Sequence, residues 1–477
     1  MRVLLPTLCG LAMLGGCAAP DDGARPQPID SAALRSRDSL GASAQTAAWP
    51  QDRWWRGYGD AQLDAMIDEA LAHSPDVAAA LARVRTARGI VQSSGAATLP
   101  QIGASGTARE QKQSYNNGVP AAFVPKGWNS GGDAALDASF DLDLWGRNKA
   151  RLAAATSDAE AARVDARQAE LILATALVSG YADLARLYAD QDVLKDMQRA
   201  RHELAELTRQ RAAIGLDGQS PVRQAQSLEA SAAYELEANA EQIALRRHAL
   251  AALMGAGPDR GLALARPSAR VLIPTALPAD AGIALAGRRP DIVAARMRVE
   301  GQGHRIDAAR RDFLPNISLS GLIGFTSLGL DKLFDSGSDY GNAGAAISLP
   351  IFDGGARRGA YRQARGTYDA AVADYDRTVI EALREVADAV ASRDSAERQI
   401  AAAARAATEA EAGYRLAMQR YRGGLATWLE ALTAQTTMLS ARRVEADARF
   451  RRLSLDVALV RALGGGFSDH SPTEDRS

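Results

Sequence analysis

The sequence predicts a mostly α-helical fold with a small antiparallel β part, written twice along the chain, whose strands close a barrel only when several copies pool them. Three observations carry this prediction. The stretches 147–214 and 356–422 contain no proline, four short segments alternate apolar and polar residues, and the second half repeats the first in register. Abundant alanine, with only 5% aromatic residues, favours long helices over a thick globular core. With 56 basic and 57 acidic side chains the net charge is −1, so no basic face marks a nucleic-acid partner. The histidines, His73, His202, His248, His304 and His470, are scattered singly, which predicts no metal and no cofactor.

At the N-terminus Arg2 precedes an apolar stretch, Val3 to Leu14, about the length of a signal-peptide core and too short to span a bilayer. It ends in "LGGC", where Gly15 and Gly16 before Cys17 match a bacterial lipoprotein cleavage box. On this reading Cys17 becomes the first mature residue and carries acyl chains such as palmitate, while Cys9 is discarded. Two or more chains anchor stably, since each buried methylene contributes about 0.8 kcal/mol. A plain secretory signal with a chance cysteine is the alternative. Ala18, in the place where aspartate marks inner-membrane retention, points to the outer membrane. No later segment has the roughly 18 consecutive apolar residues of a membrane helix, so any crossing must use strands.

The repeat aligns "SPDVAAALARVRTARGIVQSSGAATLPQIGASG", from Ser74, with "RPDIVAARMRVEGQGHRIDAARRDFLPNISLSG", from Arg289, without a gap. A second alignment places Gln210-Arg211 on Gln419-Arg420, Gly215-Leu216 on Gly424-Leu425, and Gly255 on Gly464. Each half therefore reads as a helix, two strands and two long helices. In order, the predicted organisation is a signal peptide (1–16), a lipid-anchored linker (17–53) and lead-in helices (54–98). Strands 1 and 2 follow (99–145), then helical hairpin 1 (146–257) and a glycine- and proline-rich connector (258–282). The second half has a lead-in helix (283–312), strands 3 and 4 (313–352), hairpin 2 (353–466) and a polar tail (467–477).

Within Leu136–Leu144 the residues Leu136, Ala138, Phe140, Leu142 and Leu144 share one face, and Asp137, Ser139, Asp141 and Asp143 the other. Ile317 to Phe325 and Ala345 to Ile351 repeat the alternation, and Ile102 to Ala108 is its weakest instance. An ordinary half-buried sheet gives the same pattern. Three features point instead to a bilayer: strands near the roughly 9–11 residues a crossing needs, Trp145 and Phe352 at strand ends, and long intervening loops. Four strands cannot close a barrel, since closure takes about eight, and an open edge in lipid leaves backbone groups unsatisfied. Two chains give eight strands around a filled interior; three give twelve around water. A lumen lined by Asp137, Ser139, Asp141 and Asp143 favours three.

From Arg147 to Ile214 only Gly180 interrupts a continuous helical pattern, about 100 Å long at 1.5 Å per residue. Leu173, Leu177, Gly180, Leu184, Leu187, Gln191 and Leu194 follow a coiled-coil spacing, as do Tyr368, Val372, Tyr375, Val379, Ala382 and Val386. Each long helix reverses at glycine, Gly215 or Gly423-Gly424, and returns to stop at "ALMGAG" or "ALGGG".

The ordered set "LGGC", "WWRGYGDAQLDAMIDEAL", "RRPDIVAARMRV", "FLPNISLSG", "LPIFDGG", "YRGGLATWLEALTAQ" and "ALGGG", with its mature part running from Trp54 to Phe467, resembles the TolC-type outer-membrane efflux factors. Within them it is most similar to the lipid-anchored OprM- and NodT-like branch. The resemblance implies a homotrimer with a twelve-strand outer-membrane β-barrel continued by a long periplasmic α-helical barrel. It implies partners, a periplasmic membrane-fusion adaptor and an inner-membrane RND-type pump, and passive export of small toxic compounds such as drugs. It puts the adaptor-docking tip at Gly215, Leu216, Gly423, Gly424 and Leu425. A closing acid belongs just before the Ala-Gln pair, where this chain has Thr433; Glu430, one turn earlier, and Asp217 are the candidate replacements, and Leu429 matches an apolar constriction. A solvated surface charge is the plainer reading of Glu430 and Asp217.

No nucleophile elbow, zinc spacing or phosphate loop is present, so the sequence does not predict an enzyme. Two other readings stay open: a non-transporting envelope lipoprotein, such as a spacer or adhesin, and an outer-membrane conduit for protein secretion.

Overall fold

The computed structural model describes residues 23–30, 33–35, 37–40, 48–116, 118–268, 277–278 and 281–469. The predicted lipidation site Cys17 and His470 lie outside the described residues. The first half runs α1 (Ala61–His73), α2 (Pro75–Ala96), β1 (Gln101–Gln111), β2 (Asn129–Asp141), α3 (Arg147–Ala213) and α4 (Gln219–Leu253). The second half repeats that order as α5 (Ala281–Arg288), α6 (Pro290–Arg311), β3 (Asn316–Leu328), β4 (Asp339–Ser348), α7 (Ala356–Arg422) and α8 (Trp428–Ala462). Helices α3 and α7 are both 67 residues long, and α4 and α8 both 35. Both α2 and α6 open on proline at a position where its missing N–H costs nothing, and both are 22 residues long.

The chain separates into two compact units, one of residues up to 28, 83–162 and 295–375, the other of 29–82, 163–294 and 376 onward. In the first, the strands form one antiparallel sheet in the order β1-β2-β3-β4. Its central pair joins the two halves of the sequence, with Leu136 opposite Ile323. The N-terminal segment is tied to this unit: Arg365 donates to the carbonyls of Gly23 and Ala24, Tyr368 Oη donates to the Pro26 carbonyl, and Arg25 pairs with Asp307 at 3.1 Å.

The second unit is cored on α1. Asp60 caps that helix, accepting from the Gln62 and Leu63 amides at 3.0 and 3.2 Å. Leu63, Met66, Ile67 and Ala70 then bury one face against Leu173, Leu177 and Leu184 of α3 and Leu250 of α4. Fully burying each large member contributes about 1.5–3 kcal/mol. The spacing read from the sequence thus faces the protein's own interior. The most apolar 18-residue window of α3 has a mean hydropathy of 1.2 and is 67% buried.

One contact is repeated in both halves of this unit. At the end of α4, Gly255 has φ 72°, and a Cβ there would lie 2.5 Å from the His73 carbonyl oxygen. At the end of α8, Gly464 has φ 85° and a Cβ would lie 1.9 Å from that of Arg288. Positive φ and lack of room both demand glycine at each helix stop. Beside the second copy, Arg289 is 7% exposed, pairs with Asp291 and Glu385 at 2.6 and 2.7 Å, and donates to the Ala462 carbonyl. This guanidinium joins the α5–α6 junction to α7 and the end of α8. Ser74 occupies the equivalent place in the first half.

Candidate functional site

The sheet has two chemically different faces. Residues directly opposite in a sheet share a face, so the register sorts the side chains. Ile102, Ala138 and Gly321 lie in one row, Leu136 and Ile323 in the next, and Ile317 and Ile347 in another. That face is apolar yet uncovered: Ile102 is 78% exposed, Leu136 50%, Ile323 66% and Ile347 72%. The opposite face carries Ser105, Thr107, Asp133, Asp137, Ser139, Ser318, Ser320, Thr326 and Asn342. On it Thr107 Oγ1 donates to Asp133, which also pairs with Arg109 at 3.1 Å. β1 and β4 are both edges, each with one unpaired row of backbone groups.

The strand boundaries differ from those expected. β2 spans Asn129–Asp141, starting earlier and ending sooner than Leu136–Leu144, and β4 ends at Ser348, leaving Leu349 and Ile351 outside it. Asp137, Ser139 and Asp141 lie on the polar face, and Asp143 does not. Its φ is 45° and its carboxylate accepts from the Asn148 and Lys149 amides at 2.9 and 3.0 Å, capping α3. The free amides at a helix start attract a carboxylate more strongly than strand pairing retains it. Asp353 serves α7 likewise, accepting from the Gly355 and Arg357 amides. Asp141 pairs with Arg147 at 2.7 Å, and Trp145 Nε1 donates to the Pro315 carbonyl at 2.7 Å. The passage from strand to helix is therefore held by side chains of the same "DLDLWGR" stretch.

The two helical reversals repeat one geometry. Leu216 N donates to the Arg211 carbonyl at 2.9 Å and Leu425 N to that of Arg420 at 2.8 Å; Gly215 and Gly424 have φ 77° and 73°. This is the reversal at glycine predicted from the positions of Gly215 and Gly423-Gly424. Ile214, Leu216, Leu425 and Leu429 are exposed there. Glu430 is exposed and forms a capping box with Thr427: Glu430 Oε1 accepts from the Thr427 amide, and Glu430 N donates to Thr427 Oγ1, both at 3.3 Å. Thr433 Oγ1 donates back to the Leu429 carbonyl at 2.8 Å.

Asp217 is not a free surface charge. Asp217 Oδ2 accepts from Arg211 Nε at 2.8 Å and from Tyr421 Oη at 2.9 Å. Arg211 also lies 4.8 Å from the centre of the Tyr421 ring. Both charged side chains are 15% exposed and Tyr421 is 0% exposed, packed with Leu204, Met418 and Trp428. Burial pushes the Tyr421 phenol above its ordinary value. The triad joins the first reversal to the second. Sequence periodicity does not single out Arg211 or Tyr421. The internal alignment nevertheless held a signal: Ala212 is the counterpart of Tyr421 and Ala426 that of Asp217. The halves differ where they grip one another.

Comparison with known proteins gives a consistent picture. The outer membrane efflux protein family matches residues 66–256 and 284–465. The fusaric acid resistance protein FusA of Burkholderia cepacia is 36% identical over 74% of this chain and 67% of its own length. The multidrug resistance outer membrane protein MdtP of Escherichia coli strain K12 is 28% identical over 98% of this chain and 97% of its own. Among solved structures, the outer membrane protein VceC of Vibrio cholerae superposes with a TM-score of 0.83 at 40% identity, covering 88% of this chain and all of that one. The outer-membrane channel OprN superposes with a TM-score of 0.84 at 26% identity, covering 94% of this chain and 99% of that one.

Proposed function

The chain belongs to the outer membrane efflux protein family, and from that premise we propose that it is the outer-membrane conduit of a tripartite efflux system. Three copies pool their four strands into a twelve-strand barrel and their long helices into the wall of a periplasmic tube. The observation that carries this reading is the sheet's exposed apolar face, backed by a polar face and bounded by two unpaired edges. Water tolerates such edges; hydrocarbon does not, and closure among copies satisfies both faces and edges together. Export is passive: energy comes from an inner-membrane RND-type pump reached through a periplasmic adaptor, and the cargo is small toxic compounds. The names of FusA and MdtP, with fusaric acid and multidrug resistance, support that cargo class.

The reversals form the adaptor-docking tip, with Leu216 and Leu425 as apolar knobs beside Gly215, Gly423 and Gly424. Leu429 forms the apolar constriction and Glu430 the closing acid in the place left by Thr433, while Asp217 holds the two reversals together. Three copies of Glu430 near the axis bind cations and slow leakage. Glu430→Gln lowers divalent-cation block of single-channel current; unchanged block removes that assignment.

Acylation at Cys17 fits the position of the N-terminal segment. Cys17 lies six residue steps before Gly23, a reach of about 20 Å at most. Gly23 is bonded to Arg365, only about 14 Å along α7 from its start. The start of α7 lies within that reach. The test of the whole reading is the native mass of the detergent-solubilised protein: three chains, each heavier than the polypeptide from Cys17 by its acyl groups. A single unmodified chain refutes it.

A further inference from the structure

The second unit holds a half-open cavity of about 470 Å³ that the conduit reading does not use. Leu63, Val178, Ile400 and Leu453 supply apolar wall, and Asp456 and Tyr58 also line it. Asp456 is 2% exposed, and neither of its carboxylate oxygens has a hydrogen-bond partner. Tyr58 Oη is likewise buried without a partner. A buried carboxyl group in that state is costly and calls for a donor.

The neighbouring charges do not provide one. Arg452 is engaged by Glu397 at 3.1 Å and Arg449 by Glu445 at 2.5 Å. Arg393 and Arg452 act on Asp456 through space, against Glu397, but none of them bonds it. Asp60 on the same wall is saturated, accepting from Tyr181 Oη, Ser268 Oγ and two amides. Burial pushes the Asp456 carboxyl above its ordinary value of 3.8, against the pull of Arg393 and Arg452.

We propose that this cavity binds a small lipophilic amine, its ammonium donating to Asp456 and Tyr58 Oη and its hydrocarbon part lying against Leu63, Val178, Ile400 and Leu453. The volume lies within the range of about 300–1,000 Å³ typical of small-molecule sites. Arg449 and Arg452 also line the cavity but are already held by Glu445 and Glu397, so a carboxylic acid is disfavoured: it sets a further anion beside Asp456 and Asp60. A metal ion is disfavoured too: no group of three metal-ligating side chains is found among the described residues, and hard cations take about six or more oxygens.

The test is calorimetric titration of the full-length protein in detergent with phenethylamine, its neutral isostere phenethyl alcohol, and phenylacetate. Phenethylamine binds saturably at one site per chain, the alcohol at least about tenfold more weakly, and phenylacetate not at all. Asp456→Asn weakens the amine by about tenfold or more and narrows its advantage over the alcohol. Ala185→Trp, which fills the cavity from α3, abolishes binding of both. Tyr58→Phe, which keeps the ring, weakens the amine by a smaller factor and serves if Asp456→Asn fails to assemble. No saturable amine binding, equal binding of amine and alcohol, or an unaltered affinity in Asp456→Asn or Tyr58→Phe each overturns the proposal. None of these outcomes bears on conduction, so the site and the conduit are tested separately.

Discussion

Tyr421→Phe isolates the join between the two reversals. The substitution removes one hydroxyl and keeps the ring, so the packing on Leu204 and Trp428 and the face presented to Arg211 survive. What is lost is the 2.9 Å bond from Tyr421 Oη to Asp217 Oδ2. A hydrogen bond to a charged acceptor contributes about 1.5–3 kcal/mol. Asp217 keeps its 2.8 Å bond from Arg211, which places the loss in the lower part of that range, about 1.5–2 kcal/mol. If the reversals open by parting from one another, their open population rises roughly 12- to 30-fold. Hydrogen exchange followed by mass spectrometry reads this directly. The Leu216 and Leu425 amides, bonded within their own reversals, exchange faster by that factor, while strand amides keep their wild-type rates. Unchanged exchange at both reversals refutes the reasoning, because the triad then carries none of the local stability.

Three further outcomes are expected. Leu136→Arg, on the exposed apolar face, costs about 2–4 kcal/mol if placed near the bilayer midplane and blocks assembly, whereas Ser139→Arg, on the polar face, assembles and depresses cation current; trimer yield and conductance check both. Gly464→Ala lowers the melting temperature far more than Gly424→Ala, since both have positive φ but a Cβ at 464 meets the Arg288 carbonyl while one at 424 meets open space. Asp456 holds its proton more tightly folded than unfolded, because burial disfavours the charged form. Ligand-free stability therefore falls as pH rises from the ordinary value of 3.8 through the raised folded value, and Asp456→Asn removes that decline in urea titrations across pH.

The helices were the most legible part of the fold. Proline-free stretches ending at Gly215 and Gly423-Gly424 placed α3 and α7 within a residue or two of their ends, because glycine and proline act locally. The strand faces were legible for the same reason, since period two survives any tertiary arrangement. The strand ends were not. Asp143 continues the alternation of "DLDL", yet a competing local interaction, capping of α3, takes it out of the sheet. β4 fails similarly at "LPIFDGG", where Pro350 has no N–H to pair and Asp353 turns to α7. The Arg211–Asp217–Tyr421 triad is non-local, joining residues some 200 positions apart, and alternation or helix periodicity is blind to such a contact. The buried Asp456 was hidden by its setting in α8, where a charge every few residues reads as solvated surface.

The central claim is that copies of this chain join their two-faced sheets into a water-filled wall across a lipid bilayer. Planar-bilayer recording of the purified protein tests it most directly. The account predicts discrete, stable current steps from the inserted protein, cation-preferring because it turns the polar face, with Asp137, toward the water. A bilayer that carries no current although the protein is inserted in it contradicts the account.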